Sequence, residues 1–317
     1  MITVSAPGKI HLMGEHAVVY GKPALLTAIN RRLFVSIEPG DDEELEINSK
    51  EASTLVRYCL ALMKDVYHIE KFPHLKISIS SAVPIGSGLG SSAALSVATI
   101  GALHLFLKKG WNATKINELA YEVEKKQHTS PSGGDNTAVT FGGFLWYRKE
   151  FEFLKSMWQL PFRISPKLKP FVLVDSGRPV ETTGEMVEHV KSKIQNPKSK
   201  VSIERIFSDQ EKLTKQMVLA LKDGDEQELV NVIQKGERNL ERIGVVGKIA
   251  QTMIRSIEKS GGAAKITGAG GKKEGSGMLL CYHPQPMKLK ELLNETKWES
   301  LSIILGEEGV RKEIENA

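Results

Sequence analysis

Two cysteines in 317 residues leave no basis for a disulfide framework or a zinc site. Cys59 and Cys281 lie far apart, each in apolar surroundings, and read as buried thiols. Long apolar runs are missing too. No segment approaches the roughly 18 apolar residues that would span a membrane. The opening residues, Met1 to Ala6, lack the charged region and apolar stretch of a signal peptide, so a cytoplasmic location is expected. No stretch interleaves basic and aromatic residues, and no nucleic-acid surface is expected. Internal repeats and low-complexity tracts are absent. The net charge of +5 is mild and suits anionic ligands without demanding them. What remains is 41% hydrophobic and 26% charged, a globular composition with enough length for one large or two moderate domains.

Strand-like alternation covers Met1 to Ala6 and Leu33 to Glu38, with a further short strand at 24–30. Residues 41–44 read as an acidic turn. Residues 52–67 have helical spacing, with Leu55, Cys59, Leu62, Met63 and Val66 on one side. A second helix is predicted over 114–126, capped by Asn112 or Thr114. Strands are predicted at 138–140 and 143–147 around the Gly142-Gly143 turn. Pro161, Pro166 and Pro170 mark a boundary, giving expected domains 1–168 and 169–317. Beyond it the pattern predicts a strand at 171–174, a helix at 179–195 and a polar loop at 196–200. Helices at about 202–222, 225–240 and 245–260 follow, then strands at 264–267, 278–282 and 301–305. Strands and helices mix without regular alternation, which predicts an α+β fold rather than a doubly wound parallel sheet.

The most informative segment is Pro84-Ile85-Gly86-Ser87-Gly88-Leu89-Gly90-Ser91-Ser92-Ala93-Ala94. It follows the alternating run Leu75 to Ser80 and precedes an apolar helix over 93–107. Glycines let the backbone approach a bulky anion, and the helix start offers free N–H groups and a positive dipole end. Together they form a phosphate seat. Ser91 and Ser92 are candidates to cap the helix, to touch a phosphate oxygen or to reach a metal ion. No Gly-Lys-Ser/Thr closes the loop, so it is not a Walker A motif. The two serines after the last glycine also depart from a dinucleotide fingerprint.

Three more segments stand in order: Ala6-Pro7-Gly8-Lys9 running on to Gly14-Glu15-His16-Ala17-Val18-Val19-Tyr20-Gly21, then Pro131-Ser132-Gly133-Gly134-Asp135-Asn136, then Lys265-Ile266-Thr267-Gly268-Ala269-Gly270-Gly271. Over nearly the whole chain the four resemble the GHMP kinases, named for galactokinase, homoserine kinase, mevalonate kinase and phosphomevalonate kinase. The wording of residues 14–25 looks like the mevalonate kinase branch. The Asp-Tyr-Asn that galactokinases tend to carry after the His is absent. The resemblance implies a two-domain fold with mixed sheets and helices and the active site in the cleft between domains. It implies ATP as donor, Mg²⁺ as metal, and phosphorylation of the primary (5-) hydroxyl of mevalonate. It leaves room for a homodimer. Another small-molecule kinase of the same superfamily, acting on phosphomevalonate or homoserine, is the alternative. A ligand sensor would lack the base or metal ligand, and a related decarboxylase fits Glu124 and residues 16–19 less well.

Phosphoryl transfer needs positioned phosphates, neutralised charge and an oriented nucleophile. A carboxylate at Asp135 would accept the proton of the attacking hydroxyl or hold that hydroxyl in line, and the resemblance makes Asp135 the catalytic base. Asp beside Gly is also a common turn residue. Lys9, placed at the end of the first strand, matches the family's active-site lysine and would keep Asp135 ionised. The resemblance assigns Mg²⁺ to Glu124, eleven residues before Asp135, together with Ser92. Its competitor is an ordinary ion pair between Glu124 and a surface lysine. Pro84, Gly86, Ser87, Gly88, Leu89, Gly90, Ser91, Ser92 and Ala93 are the expected nucleotide-binding residues. Glu15, His16, Thr182, Thr183, Gly270 and Gly271 are the expected substrate-binding ones, although either threonine would also serve as a helix cap. Lys272-Lys273-Glu274 replaces the further glycines of relatives, and the two lysines read as solvated.

Overall fold

The protein is described from a computed structural model covering residues 1–40, 46–127 and 131–314, so the expected acidic turn at 41–44 lies outside it. Two long antiparallel strands, β1 (Ile2–Met13) and β2 (Ala24–Pro39), form the spine of the first sheet. The short first strand expected from the sequence in fact continues past Pro7. A register slip between Pro7 and Gly8 absorbs the proline, which has no N–H to give the ladder. Lys9 is therefore mid-strand rather than at a strand end. Likewise β2 unites the two strands expected at 24–30 and 33–38. A short 3₁₀ turn, Ala17–Tyr20, lies between β1 and β2.

After β3 (Glu46–Ile47) comes α1 (Lys50–Tyr67), whose N-cap Ser49 accepts from the N–H of Ala52. Leu55, Cys59 and Met63 are buried on its inner face, whereas Val66 is exposed. β4 (Leu75–Ser81) leads through the glycine loop into α2 (Ser91–Phe106), which is buried all round from Ala93 to His104. Such a helix belongs at the centre of a core, and α2 packs on β1, β2, α1 and α3 (Ala113–Gln127). Asn112 caps α3 by accepting from the N–H of Lys115 at 3.0 Å. The strand expected at 138–140 is instead α4 (Gly134–Phe141). Burial among α2, α3 and β1 overrides the strand preference of Thr137, Val139 and Thr140, and Thr137 turns its hydroxyl onto the Gly133 carbonyl. The hairpin of β5 (Phe144–Lys149) and β6 (Lys155–Gln159) then pairs with the first half of β2, while β4 pairs with the second.

The second half carries β7 (Val172–Asp175), α5 (Thr183–Gln195), α6 (Pro197–Asp223), α7 (Glu226–Ile243) and α8 (Lys248–Lys259). The loop expected at 196–200 is the start of α6. Asn196 caps it and Pro197 occupies its first turn, where a missing N–H costs nothing. Next come β8 (Ala263–Ile266), β9 (Met278–Tyr282), α9 (Pro286–Thr296), β10 (Ser300–Ser302) and β11 (Arg311–Lys312). The strands of this half form a separate sheet in the order β10-β7-β9-β8, while β11 returns to pair with β1. Arg32 ties that return down by donating to the carbonyls of Glu308 and Gly309, each at 2.8 Å. The fold is α+β, as expected, with mixed sheets and helices. Both cysteines are buried and free.

Candidate active site

One cavity of about 540 Å³ is lined from both halves of the chain. Its floor is β1. Lys9 and His11 are two residues apart on that strand and so share a face. The ammonium of Lys9 lies 3.0 Å from Oδ2 of Asp135, and Nε2 of His11 lies 3.2 Å from Oδ1. Burial pushes the His11 imidazole toward its neutral form, and the charge of Lys9 adds to that. A carboxylate only accepts, so neutral His11 donates from Nε2. Burial alone would raise the Asp135 carboxyl. Lys9 and the His11 hydrogen bond outweigh it and hold Asp135 well below the usual carboxylate range. His11 is absent from the sequence-derived site. The Lys-x-His spacing on a strand is the signal that points to it.

Glu124 reaches the same cavity from α3. Glu122 pairs with Lys125 at 2.6 Å, but Oε2 of Glu124 is buried with no hydrogen-bond partner. Burial, reinforced by the nearby charge of Asp135, raises the Glu124 carboxyl to about 8. A buried orphan carboxyl oxygen suits a cation, whose charge would favour the ionised form. Ser92, on the first turn of α2, lines the same cavity. This hard-oxygen pair fits Mg²⁺, which keeps water and phosphate oxygens as its other ligands.

The glycine loop closes one wall. Gly86, Gly88 and Gly90 all take positive φ. A Cβ on Gly90 would come within 2.8 Å of the Lys9 side chain, and one on Gly86 within 2.7 Å of Arg178. Gly90 is the N-cap of α2, and no side chain caps that terminus, so its first N–H groups remain for a ligand. Gly86, Gly88, Gly90, Ser91, Ser92 and Ala93 line the cavity; Pro84, Ser87 and Leu89 do not. Ser87 turns its hydroxyl onto the Pro84 carbonyl at 2.8 Å, and Leu89 is buried in the core with its carbonyl on the N–H of Lys9. Those three shape the loop from behind.

The opposite wall combines the segment after β1 with residues of the second half. Glu15 is ion-paired to the buried Lys265, and its other oxygen has no partner. His16, at φ 57°, donates from Nε2 to the Ala269 carbonyl at 2.9 Å. Burial lowers its pKa, so it too is neutral. Thr182 is the N-cap of α5 in a reciprocal capping box with Glu185, and both Thr182 and Thr183 line the cavity. Gly270 lines it as well, whereas Gly271 is held off it by a hydrogen bond from its N–H to the Val245 carbonyl. Lys272 and Lys273 are exposed, as expected. Arg178 is a further cavity residue outside the sequence-derived set; among the described residues no hydrogen-bond or ion-pair partner engages it.

Residues 54–143 match the profile of the GHMP kinases N terminal domain. The chain is 31% identical to the mevalonate kinase of Pyrococcus abyssi over 307 residues, covering 86% of each chain. It is 34% identical to that of Archaeoglobus fulgidus over 270 residues, covering 84% of this chain and 88% of the relative. The chain belongs to the mevalonate kinase family. The solved structure of the Methanococcus jannaschii mevalonate kinase superposes with a TM-score of 0.76 at 26% identity, covering 95% of this chain and 97% of the other. The glycine loop, the Gly-Glu-His segment and the Thr-Gly-Ala-Gly-Gly segment of this chain converge on one cavity from three separate parts of the sequence.

Proposed function

We propose that this member of the mevalonate kinase family transfers the γ-phosphoryl group of ATP to the primary (5-) hydroxyl of (R)-mevalonate, giving 5-phosphomevalonate and ADP. The observation that carries the reading is the Lys9–Asp135–His11 cluster facing the glycine loop across one cavity. The triphosphate lies along Gly86, Gly88, Gly90 and the first turn of α2, whose N–H groups and dipole favour anions. Arg178, unpaired beside Gly86, is placed to clamp a phosphate oxygen.

Asp135 is the base. Held ionised by Lys9 and fixed by the His11 hydrogen bond, it orients the attacking hydroxyl and takes its proton as the new P–O bond forms. Lys9 then faces both the carboxylate and the transferring oxygens, and favours the developing negative charge. Ser92 and Glu124 would hold Mg²⁺, which would neutralise phosphate charge. Glu15, His16, Thr182 and Thr183 form the acceptor wall. Residues 1–168 supply the glycine loop and the Lys9–Asp135 pair, and 169–317 add Arg178, Thr182 and Thr183. No described helix is long and apolar enough to cross a membrane, and with two free buried thiols this supports a cytoplasmic setting. An ADP-release assay across mevalonate, phosphomevalonate, homoserine and galactose tests the reading. Mevalonate is expected to give the highest kcat/KM, and faster turnover of phosphomevalonate or homoserine would overturn it.

A further inference from the structure

Lys265 is fully buried, an expensive place for an ammonium, on the strand that leads into the last glycine-rich loop. Its three donors are all used: on Glu15, on the His11 carbonyl at 3.2 Å and on the Ile266 carbonyl at 2.6 Å. The strand bearing it is stitched to the end of β1 by two more bonds. The N–H of His11 donates to the Thr267 carbonyl at 3.2 Å, and His16 donates to the Ala269 carbonyl. One lysine from the second sheet therefore grips both the backbone of His11, whose imidazole touches Asp135, and the side chain of Glu15, which lines the acceptor wall.

The charge count at this seam decides what Glu15 does. A second buried carboxylate, Glu237, accepts from the N–H of Ile266 at 3.0 Å. Burial raises Glu237 to about 8, so near neutral pH it is protonated and does not compete for Lys265. That leaves one ammonium for one carboxylate, Glu15. With Oε1 of Glu15 committed to Lys265, Oε2 is the buried atom without a partner. An unpaired carboxylate oxygen on a cavity wall is a hydrogen-bond acceptor for a hydroxyl.

Resting on the acceptor reading above, we propose that Lys265 is a positioning residue for the acceptor: it acts through Glu15, pinning one oxygen so that the other receives a hydroxyl of the bound alcohol. Lys265 itself touches no substrate.

The test is a double-mutant cycle of Lys265→Met and Glu15→Gln, read as KM for mevalonate, KM for ATP and thermal midpoint. Loss of a hydrogen bond to a charged group predicts that Lys265→Met raises the mevalonate KM by roughly tenfold or more, with the ATP KM within about twofold. In a Glu15→Gln background the same change should add almost nothing to the mevalonate KM. The double variant also carries no buried unpaired charge, so it keeps the measurement possible should Lys265→Met alone fail to fold. A purely structural lysine would lower the thermal midpoint and leave the mevalonate KM unchanged; that result overturns the proposal. So does an equal effect of Lys265→Met with and without Glu15. Absence of mevalonate turnover in the unaltered protein would instead refute the acceptor reading, and is seen before any variant is made.

Discussion

Two lysine–carboxylate pairs flank β1, and they differ mainly in water. Lys9–Asp135 spans 3.0 Å with side-chain exposures of 3% and 32%, so its carboxylate faces the cavity. Lys265–Glu15 has exposures of 0% and 2%. The chemistry is the same and the consequences are opposite. Lys9 is buried as well, but the cavity-facing Asp135 keeps a carboxylate oxygen for a reacting hydroxyl. A sealed pair cannot lose one member without stranding a charge, so it serves as a fixed joint between the two sheets.

The sharpest way to break this contrast is to remove each lysine. Lys265→Met should cost about 3–5 kcal/mol of stability, because Glu15 is left buried and uncompensated. Lys9→Met should cost less, because Asp135 keeps its exposure to the cavity and its His11 hydrogen bond, and should act mainly on rate. Urea unfolding of both variants measures this, and equal losses would erase the distinction. Next in size is Asp135→Asn, which keeps shape but removes the proton acceptor. Turnover should fall roughly 10²-fold or more with mevalonate binding largely kept. Combined with Lys9→Met, the cost should be less than the sum, since the two act as one unit. Steady-state kinetics on the cycle decides, and full additivity would mean two independent groups.

A smaller effect sharpens the accessible side. Glu124→Gln should raise the Mg²⁺ concentration needed for half-maximal rate by about tenfold, with the fold untouched, because an amide cannot ionise for the metal. An unchanged metal titration would rule out ligation. A pH dependence tests the sealed side. Glu237 is raised from 4.5 to about 8, chiefly by burial. The unfolded chain loses that proton first, so stability falls as pH rises from about 4.5 to about 8, with a slope of at most about 1.4 kcal/mol per pH unit. Glu237→Gln should flatten that slope, and melts at pH 5, 6.5 and 8 would show it.

Much of this was legible because it is local. A glycine loop between an alternating strand and an apolar helix follows from residues 75–107 alone, and it needs only backbone freedom and a helix dipole. The helices at α1, α3, α7 and α8 follow from apolar spacing within one or two turns. Asp135, Lys9 and Glu124 are singled out by the resemblance of their segments to the GHMP kinases, and the structure brings all three to one cavity.

What tertiary structure decided is non-local. Residues 138–140 carry strand-type side chains yet sit in α4, because the surroundings that bury them come from α2, α3 and β1. The fusion of two expected strands into β2 depends on β1 lying alongside for its full length. His11 joins the site because β1 runs past Pro7 and carries it to Asp135, 124 residues away in sequence. Lys265 reaches Glu15 across 250 residues. Composition and periodicity report which residues prefer to be buried and in what local geometry. They do not report which distant charge waits inside to meet them, and at this site burial and partner set the difference between a carboxylate that takes a proton and one that is pinned in place.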